Sequence, residues 1–579
     1  MRKTDTLIAG LLSVALAALL VPFARIGVDP HHDGIMLKPA LDVLSGQVLF
    51  RDTFMQYGAL TCLLQVAALW IHPTLLAIKL LTVAAYATTF FFLYATWRML
   101  LPRLLTVAAC ALYVLFIPFY ELRWTMIPWS SEFALMFQVV ALYALGRIIT
   151  GQKPLVWAFV FGLTTASVFW CRQSVGVVTC GAVPVIWFVL KRSGWVWPAG
   201  TTGRAMLTPM ALGFVGVNAL LLGAISVSGA LPNWWFQNFV WPKRWALEGT
   251  DNWALGAPFY LHPGRGVALL VIFLLLAAPG LMNRVGPIFS FRHRTAYYTA
   301  LACLLLLAHK QVLSLLIWPQ GAWSTAIPLG LALQAAIVIG WATLGKSVRV
   351  EMKDHLVMAF SGIALASVLQ YYPVPCTRHI FWSLAPGFGL FVYLLWRATC
   401  WRPVILVLVL GLAFGPLLKF RISEARAKLS QPLTTVTAPA VLAGMRVNPE
   451  EARVYESIAA ALRPLLERAP MTPSALFGAD AIYLCFTPNR TNPSPYFVLW
   501  KGLLDDQPFS DRWNRIIEMR PILFIQNPRK EQVNQFYAEE NYAPVLHIAS
   551  AESSLSMVAP AELVNSLAKP NGPSSAQRP

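Results

Sequence analysis

Charge is scarce in this chain. Only 12% of its 579 residues are Asp, Glu, Lys or Arg, while 57% are hydrophobic. A soluble domain carries about twice that charged share. Acids are the scarcer sign, 26 against 45 Lys and Arg. The eight cysteines form neither a Cys-x-x-Cys nor a zinc spacing. No disulfide framework is expected, and Cys376 with Cys485 is the one pair left to consider. There is no Walker loop, no Gly-x-Gly-x-x-Gly, no His-Glu-x-x-His and no nucleophile elbow, which removes the common nucleotide, zinc-protease and esterase classes. No internal repeat of the transporter kind is visible. The net charge of +19 does not imply nucleic acid. The basic residues are scattered through short loops between apolar runs, a pattern set by membrane topology and anionic head-groups.

Apolar runs dominate what is present. Spans are predicted over 7–24, 74–97, 105–119, 127–146, 155–170, 175–190, 205–228, 266–281, 296–317, 322–344, 355–369, 380–396 and 404–418, about 13 crossings at ~20 residues each. The run 59–71 is too short to cross, and His72-Pro73 ends it. Arg2 and Lys3 precede the first run, which places the N-terminus in the cytoplasm and the loop after that run outside. The run lacks a small-x-small cleavage site and reads as a retained span. An odd count leaves the C-terminus outside as well. The fold class is a polytopic α-helical membrane protein with a small C-terminal α/β unit in the periplasm. The expected division is 1–419 for the membrane domain, 420–565 for the outer-face domain and 566–579 for a disordered tail. Within the first part, 25–73 is the first outer loop with membrane-surface helices, and 230–265 is a Trp-rich outer loop.

The first loop, VDPHHDGIMLKPALDVLSGQVLFRDTFMQYG, concentrates charge that the rest of the chain avoids. Ile35, Leu37, Leu41 and Leu44 recur at helical steps, and Ser45-Gly46 ends the run. Asp29 and Asp33 stand at its start. They are read as a general base for a hydroxyl acceptor or as helix caps; one residue can serve as both. His31 and His32 are read as phosphate or sugar contacts. With the aspartates they leave a divalent metal open as a cofactor, although no third clustered ligand is evident. Arg51, Asp52, Gln56 and Tyr57 close the loop, either as an ion pair and a turn or as substrate-positioning groups. Glu132 lies just inside a span, where a carboxylate is expensive and needs a cavity or a cation. Arg172-Gln173, Lys310 and Arg378-His379 sit at or toward the outer ends of other spans. Their charge suits a lipid-linked phosphate, while snorkelling to head-groups is the plain alternative for the arginines. Lys79 is the weaker candidate on the same side.

The segment DPHHDG followed by SGQVLFRDTFMQYGAL resembles the acid motif and following Arg-Asp segment of the GT-C glycosyltransferase superfamily. It is similar to bacterial dolichyl-phosphate-mannose-mannosyltransferase-like and aminoarabinose-transferase-like members. The family's acid pair is adjacent; here the acids are Asp29 and Asp33. The resemblance implies a polyprenyl-phosphate-linked sugar donor, an inverting transfer at the outer face of the bacterial inner membrane, and a catalytic aspartate, placed first on Asp33. The acceptor would be an envelope glycan such as lipopolysaccharide, a lipid or a protein. The alternatives are a lipid-linked sugar flippase, a glycan polymerase or ligase, and a non-catalytic scaffold.

Overall fold

The computed structural model describes residues 2–198, 201–243, 263–285, 291–308, 325–330, 351–368, 376–399, 401–487, 516–527, 541–549 and 554–568, with 311, 332 and 370 singly. Its membrane part is helical: α1 Lys3–Ala24, α2 His32–Leu44, α3 Ala59–Ile71, α4 Leu75–Trp97, α5 Arg103–Phe116, α6 Ser130–Ile149, α7 Pro154–Cys171, α8 Gln173–Arg192, α9 Gly203–Val227 and α10 Leu231–Trp235. α11 Pro263–Val285, α12 Phe291–Leu307, α13 Met352–Val368, α14 Thr377–Leu384, α15 Phe388–Thr399 and α16 Pro403–Leu429 follow.

Among the described residues, eight helices are long and apolar enough to cross a membrane: α1, α4, α6, α7, α8, α9, the α14–α15 stretch and α16. The sequence suggested about 13. The run 105–119 forms α5, which stops at Phe116 because Pro118 follows closely. Of the run 322–344, only 325–330 and 332 lie among the described residues. α3 is short, as expected, and ends at Ile71 before His72-Pro73.

Asp5, near the start of α1, pairs with Arg103 at 2.7 Å and Arg98 at 3.3 Å. The start of α1 and the far end of α4 therefore share one side. The first loop lies at the opposite end of α1. α2 begins after Pro30 and ends at Ser45, with Gly46 at φ +95° completing the stop. It is not an open surface helix. Met36, Leu37, Ala40 and Leu41 are buried together with Lys38 and Asp42. Those two charges pair with each other, and Thr53 donates to the second Asp42 oxygen at 2.8 Å. What covers α2 is the C-terminal unit.

That unit starts from α16. A small hairpin, β1 Thr434–Thr435 with β2 Arg446–Val447, leads into α17 Pro449–Arg468. Its apolar face is set by Ala452, Tyr455, Ile458, Leu462 and Leu465 at helical spacing. The sheet is β3 Ser474–Phe477, β4 Ile522–Gln526, β5 Tyr542–Ala549 and β6 Ser554–Pro560, in the order β3-β4-β6-β5, with β3 and β4 parallel and the remaining pairs antiparallel. α18 Ala561–Ala568 closes it. β4 is the buried central run ILFI, apolar without alternation because both faces are covered.

The unit is bonded to the first loop by backbone. Gly27 N–H donates to the Arg446 carbonyl at 2.8 Å, Arg446 N–H to Arg25 at 2.7 Å, and Ile482 N–H to Pro30 at 3.0 Å. At Gly34 the approach is so close that a Cβ would overlap the backbone of Ile482. The C-terminal unit and the first loop thus lie on the same side of the membrane part.

Candidate functional site

The two aspartates of the first loop have different surroundings. Asp33 is 0% exposed, and so is Lys79 of α4, whose ammonium sits 2.7 Å from the carboxylate. Lys79 also donates to the Gly27 carbonyl at 2.9 Å, and the Asp33 carboxylate accepts the Asp29 amide at 2.9 Å. Burial pushes the Asp33 carboxyl up to about 6; Lys79 opposes this and the neighbouring Asp29 charge adds to it. Behind the pair, Glu451 of α17 stands within Coulombic reach of both, accepts a hydrogen bond from Tyr455 at 2.6 Å, and is itself pushed up by burial.

Asp29 is partly open. Its Oδ1 accepts the His32 amide and its Oδ2 bonds the His32 Nδ1, both at 2.8 Å. The carboxylate therefore caps α2 and holds a ring at once. Burial opposes its ionisation, but the His32 ring and amide, with Arg378 beyond, hold the Asp29 carboxyl at about 2. His31 turns the other way. Its Nδ1 lies 2.6 Å from the Ala479 carbonyl of the C-terminal unit. In that unit the Gln526 carbonyl accepts the amides of Ala479 and Asp480 at 2.6 and 2.8 Å, and its amide group donates to the Asp480 carboxylate at 2.5 Å.

Facing Asp29 and His32 is a basic and aromatic wall. The His32 ring lies 4.9 Å from Trp129, and Tyr57 lies 5.3 Å from the same indole. The Arg378 guanidinium, on a residue only 9% exposed, stacks 4.6 Å over Trp124 and 6.0 Å over Trp129. Arg172, between α7 and α8, donates to Ser131 and lies 6.0 Å over the ring of Trp382. Among the described residues neither Arg172 nor Arg378 has a carboxylate ion pair. His379 bonds Cys376, packs 5.2 Å from Trp382, and stands within Coulombic reach of Arg172, Arg378 and His32. Cys376 and Cys485 are both free thiols. Glu132, 1% exposed, meets no cation among the described residues: one oxygen accepts from the Tyr86 hydroxyl and the Trp382 indole, and the other has no partner there.

The turn that carries Trp124 and Trp129 is pinned from α16. Lys428 donates to the carbonyls of Phe119, Glu121 and Trp124, while Arg421 bonds the Glu121 carboxylate at 2.5 Å and the Leu115 carbonyl at 3.1 Å. Gly58 packs its backbone on the end of α7, where a Cβ would overlap Trp170, and its N–H donates to the Cys171 carbonyl at 3.1 Å. That contact sets Tyr57 beside Arg172, whose charge reaches the phenol.

The remaining sequence candidates fall elsewhere. Arg51 and Asp52 pair with each other at 2.9 Å; Arg51, half exposed, also reaches the Ser228 carbonyl at 3.3 Å, and Asp52 accepts the Val48 amide at 2.8 Å. They brace the loop against the end of α9. Gln56 bonds Tyr57. Gln173 donates to Asn238, in the π-helical turn Phe236–Val240. Lys310 lies outside the described residues, as do Trp245 and Trp253 of the Trp-rich loop. Trp124, Trp129 and Trp382 were not singled out from sequence. Trp124 follows Arg123 and Trp129 lies three residues before Glu132 in YELRWTMIPWSSEF, and that closeness is the available signal. Gln237, which donates to Phe50 O at 2.8 Å and accepts from Met55 N at 2.9 Å, carried no signal. Among the described residues no group of three or more His, Cys, Asp or Glu is arranged to hold a metal ion.

No family model and no curated protein matches this chain. Among solved structures it is similar to ArnT from Cupriavidus metallidurans bound to undecaprenyl phosphate, at 12% identity over 96% of this chain and 98% of that one, with a TM-score of 0.46. It is similar also to the Archaeoglobus fulgidus oligosaccharyltransferase in complex with Zn and sulfate, at 13% identity over 96% and 72% of the two chains and a TM-score of 0.47. The same organism's oligosaccharyltransferase AglB, in complex with an inhibitory peptide and a dolichol-phosphate, aligns at 12% identity over 95% and 74%, with a TM-score of 0.45. Identities this low assign no role to any residue here.

Proposed function

We propose that this chain is a membrane sugar transferase of the GT-C kind. It takes a sugar from a polyprenyl-phosphate donor and passes it, with inversion, to a hydroxyl of an envelope glycan, lipid or protein on the outer face of a bacterial inner membrane. The observation that carries the reading is the meeting of two arginines, Arg172 and Arg378, around His379, with the Arg378 charge reaching the ionised Asp29 at the ends of apolar helices. A lone pair of cations there suits a lipid phosphate. A carboxylate opposite them suits an acceptor that must lose a proton. Indoles between the two, Trp124 and Trp129, offer faces for a sugar ring.

In this reading the phosphate meets Arg378 and Arg172. Charge builds on the bridging oxygen as the anomeric bond breaks, and the guanidinium groups stabilise it. Held together, donor and acceptor react as one unit, which lowers the barrier through proximity. The base is assigned to the partly open edge of the first loop around Asp29, while Asp33 braces that edge through Lys79.

The test is a transfer assay with purified protein in nanodiscs, using a panel of polyprenyl-phosphate sugars and a cell-envelope extract. Sugar release from one donor, lost in Arg378→Met and Asp29→Asn, supports the reading. A labelled lipid-linked sugar that changes leaflet without being cleaved would overturn it in favour of a flippase.

A further inference from the structure

Asp29 is poorly suited to take a proton by itself. Both of its oxygens are engaged by His32, one by the backbone amide and one by the ring. Held at about 2, its carboxylate is a weak proton acceptor at neutral pH, where a general base works best with an affinity near the ambient pH. Asp33 is closed to any acceptor, being fully buried against Lys79.

The ring that Asp29 holds is differently placed. An ionised carboxylate only accepts hydrogen bonds, so the contact with Nδ1 fixes the proton of a neutral imidazole on that nitrogen. Nε2 is then left with its lone pair. Among the described residues Nε2 has no hydrogen-bond partner, and the side chain is 29% exposed. The ring edge faces Trp129 at 4.9 Å and His31 at 4.8 Å. The charged and titratable groups around it are Asp29 and His31 on its own loop, Asp480 on the C-terminal unit, and His379 on α14, with Arg378 near Asp29. The adjacent histidines thus separate: His31 is taken by the Ala479 carbonyl, and His32 is turned toward the arginine and tryptophan wall.

We propose that His32 is the general base of the transfer, through Nε2, and that Asp29 is the positioning residue that orients the ring and stabilises it once charged. This rests on the transferase reading given above. The acceptor O–H bond breaks and its proton goes to Nε2. The oxygen lone pair forms the new bond to the anomeric carbon. The bond from that carbon to the phosphate oxygen breaks, and its electron pair leaves with the polyprenyl phosphate beside Arg378 and Arg172. The imidazolium then returns the proton to water. The arrangement is that of a base held by a third group, reached here within one loop turn.

The experiment measures single-turnover transfer by wild type, His32→Ala, Asp29→Asn and the double variant, each with and without added imidazole, alongside binding of undecaprenyl phosphate. The expected result is a fall of about 10²- to 10⁴-fold for His32→Ala with lipid binding retained. Imidazole should partly restore its rate and should not restore that of Asp29→Asn. The double variant should fall little further than His32→Ala alone, because the two act as a unit. Retained lipid binding and imidazole rescue separate this from misfolding. If wild type transfers sugar and His32→Ala keeps most of its rate, or its loss is not rescued while Asp29→Asn loses more, the base assignment is overturned and the transferase stands. If wild type transfers from no donor, the transferase reading falls and this assignment with it.

Discussion

Replacing Lys79 by methionine tests how the first loop is held. Asp33 and Lys79 are both fully buried and 2.7 Å apart. Even with the lysine present, the Asp33 carboxyl rises from 3.8 to about 6. At about 1.4 kcal/mol for each tenfold step in proton affinity, this group costs the folded state about 3 kcal/mol at neutral pH. The sign follows from proton binding: between about pH 4 and 6 the folded chain holds a proton that the unfolded chain has released, so stability falls as pH rises through that window. Lys79→Met removes the one cation among the described residues that is bonded to the carboxylate and leaves the charge buried alone, a loss of about 3–5 kcal/mol. The loss should be smaller at pH 5, where much of Asp33 is protonated, than at pH 7.5. Asp33→Asn with Lys79→Met removes both charges and should recover most of the stability. The assay is thermal unfolding in nanodiscs at the two pH values. A Lys79→Met protein that melts with wild type at pH 7.5, or a double variant no better than Lys79→Met, would refute the argument.

Three further outcomes follow from the same geometry. Arg378→Met should weaken binding of undecaprenyl phosphate about ten- to a hundredfold, the worth of a charge-assisted hydrogen bond, and Arg378→Lys should restore part of it; a binding titration reads both. Gly34→Ala puts a methyl into the backbone of Ile482 and should cost about 1–3 kcal/mol, read as faster proteolysis between the membrane part and the C-terminal unit. Glu132→Gln keeps an acceptor for the Tyr86 hydroxyl and the Trp382 indole and should melt near wild type. Glu132→Leu strands both donors and should lose about 1–3 kcal/mol for each.

Much of the fold is legible because long apolar runs and their charged edges have one physical meaning. The run 74–97 and α4 agree almost residue for residue, and Ser45-Gly46 ends α2. Where a proline intervenes, as at Pro118, the run overstates the helix. The candidate site is legible only in part. Arg172 and Arg378 could be found because an arginine at a span end needs a reason. The ion pair of Lys79 with Asp33 is not legible, since the two lie on different elements and no local pattern joins them. Arg51-Asp52 was visible as a pair, but sequence does not say which way a pair faces. The contact of the C-terminal unit with Pro30, His31 and Gly34 is made largely through the backbone of 479–482, and backbone contacts leave no residue signature.

The backbone bonds from Arg25, Gly27 and Pro30 to Arg446 and Ile482 bear on how the protein is made. Synthesis runs from the N-terminus, and domains fold as they emerge. The acidic loop is therefore produced well before Arg446 and Ile482, the partners that fix its backbone. Until the ribosome has passed residue 482, Asp33 can meet Lys79 but the loop backbone at Gly27 and Pro30 lacks these bonds, and a chain cut short after α16 would reach the bilayer with its helices present and that backbone unset. Such a product would carry the membrane helices without the backbone clamp on its first loop.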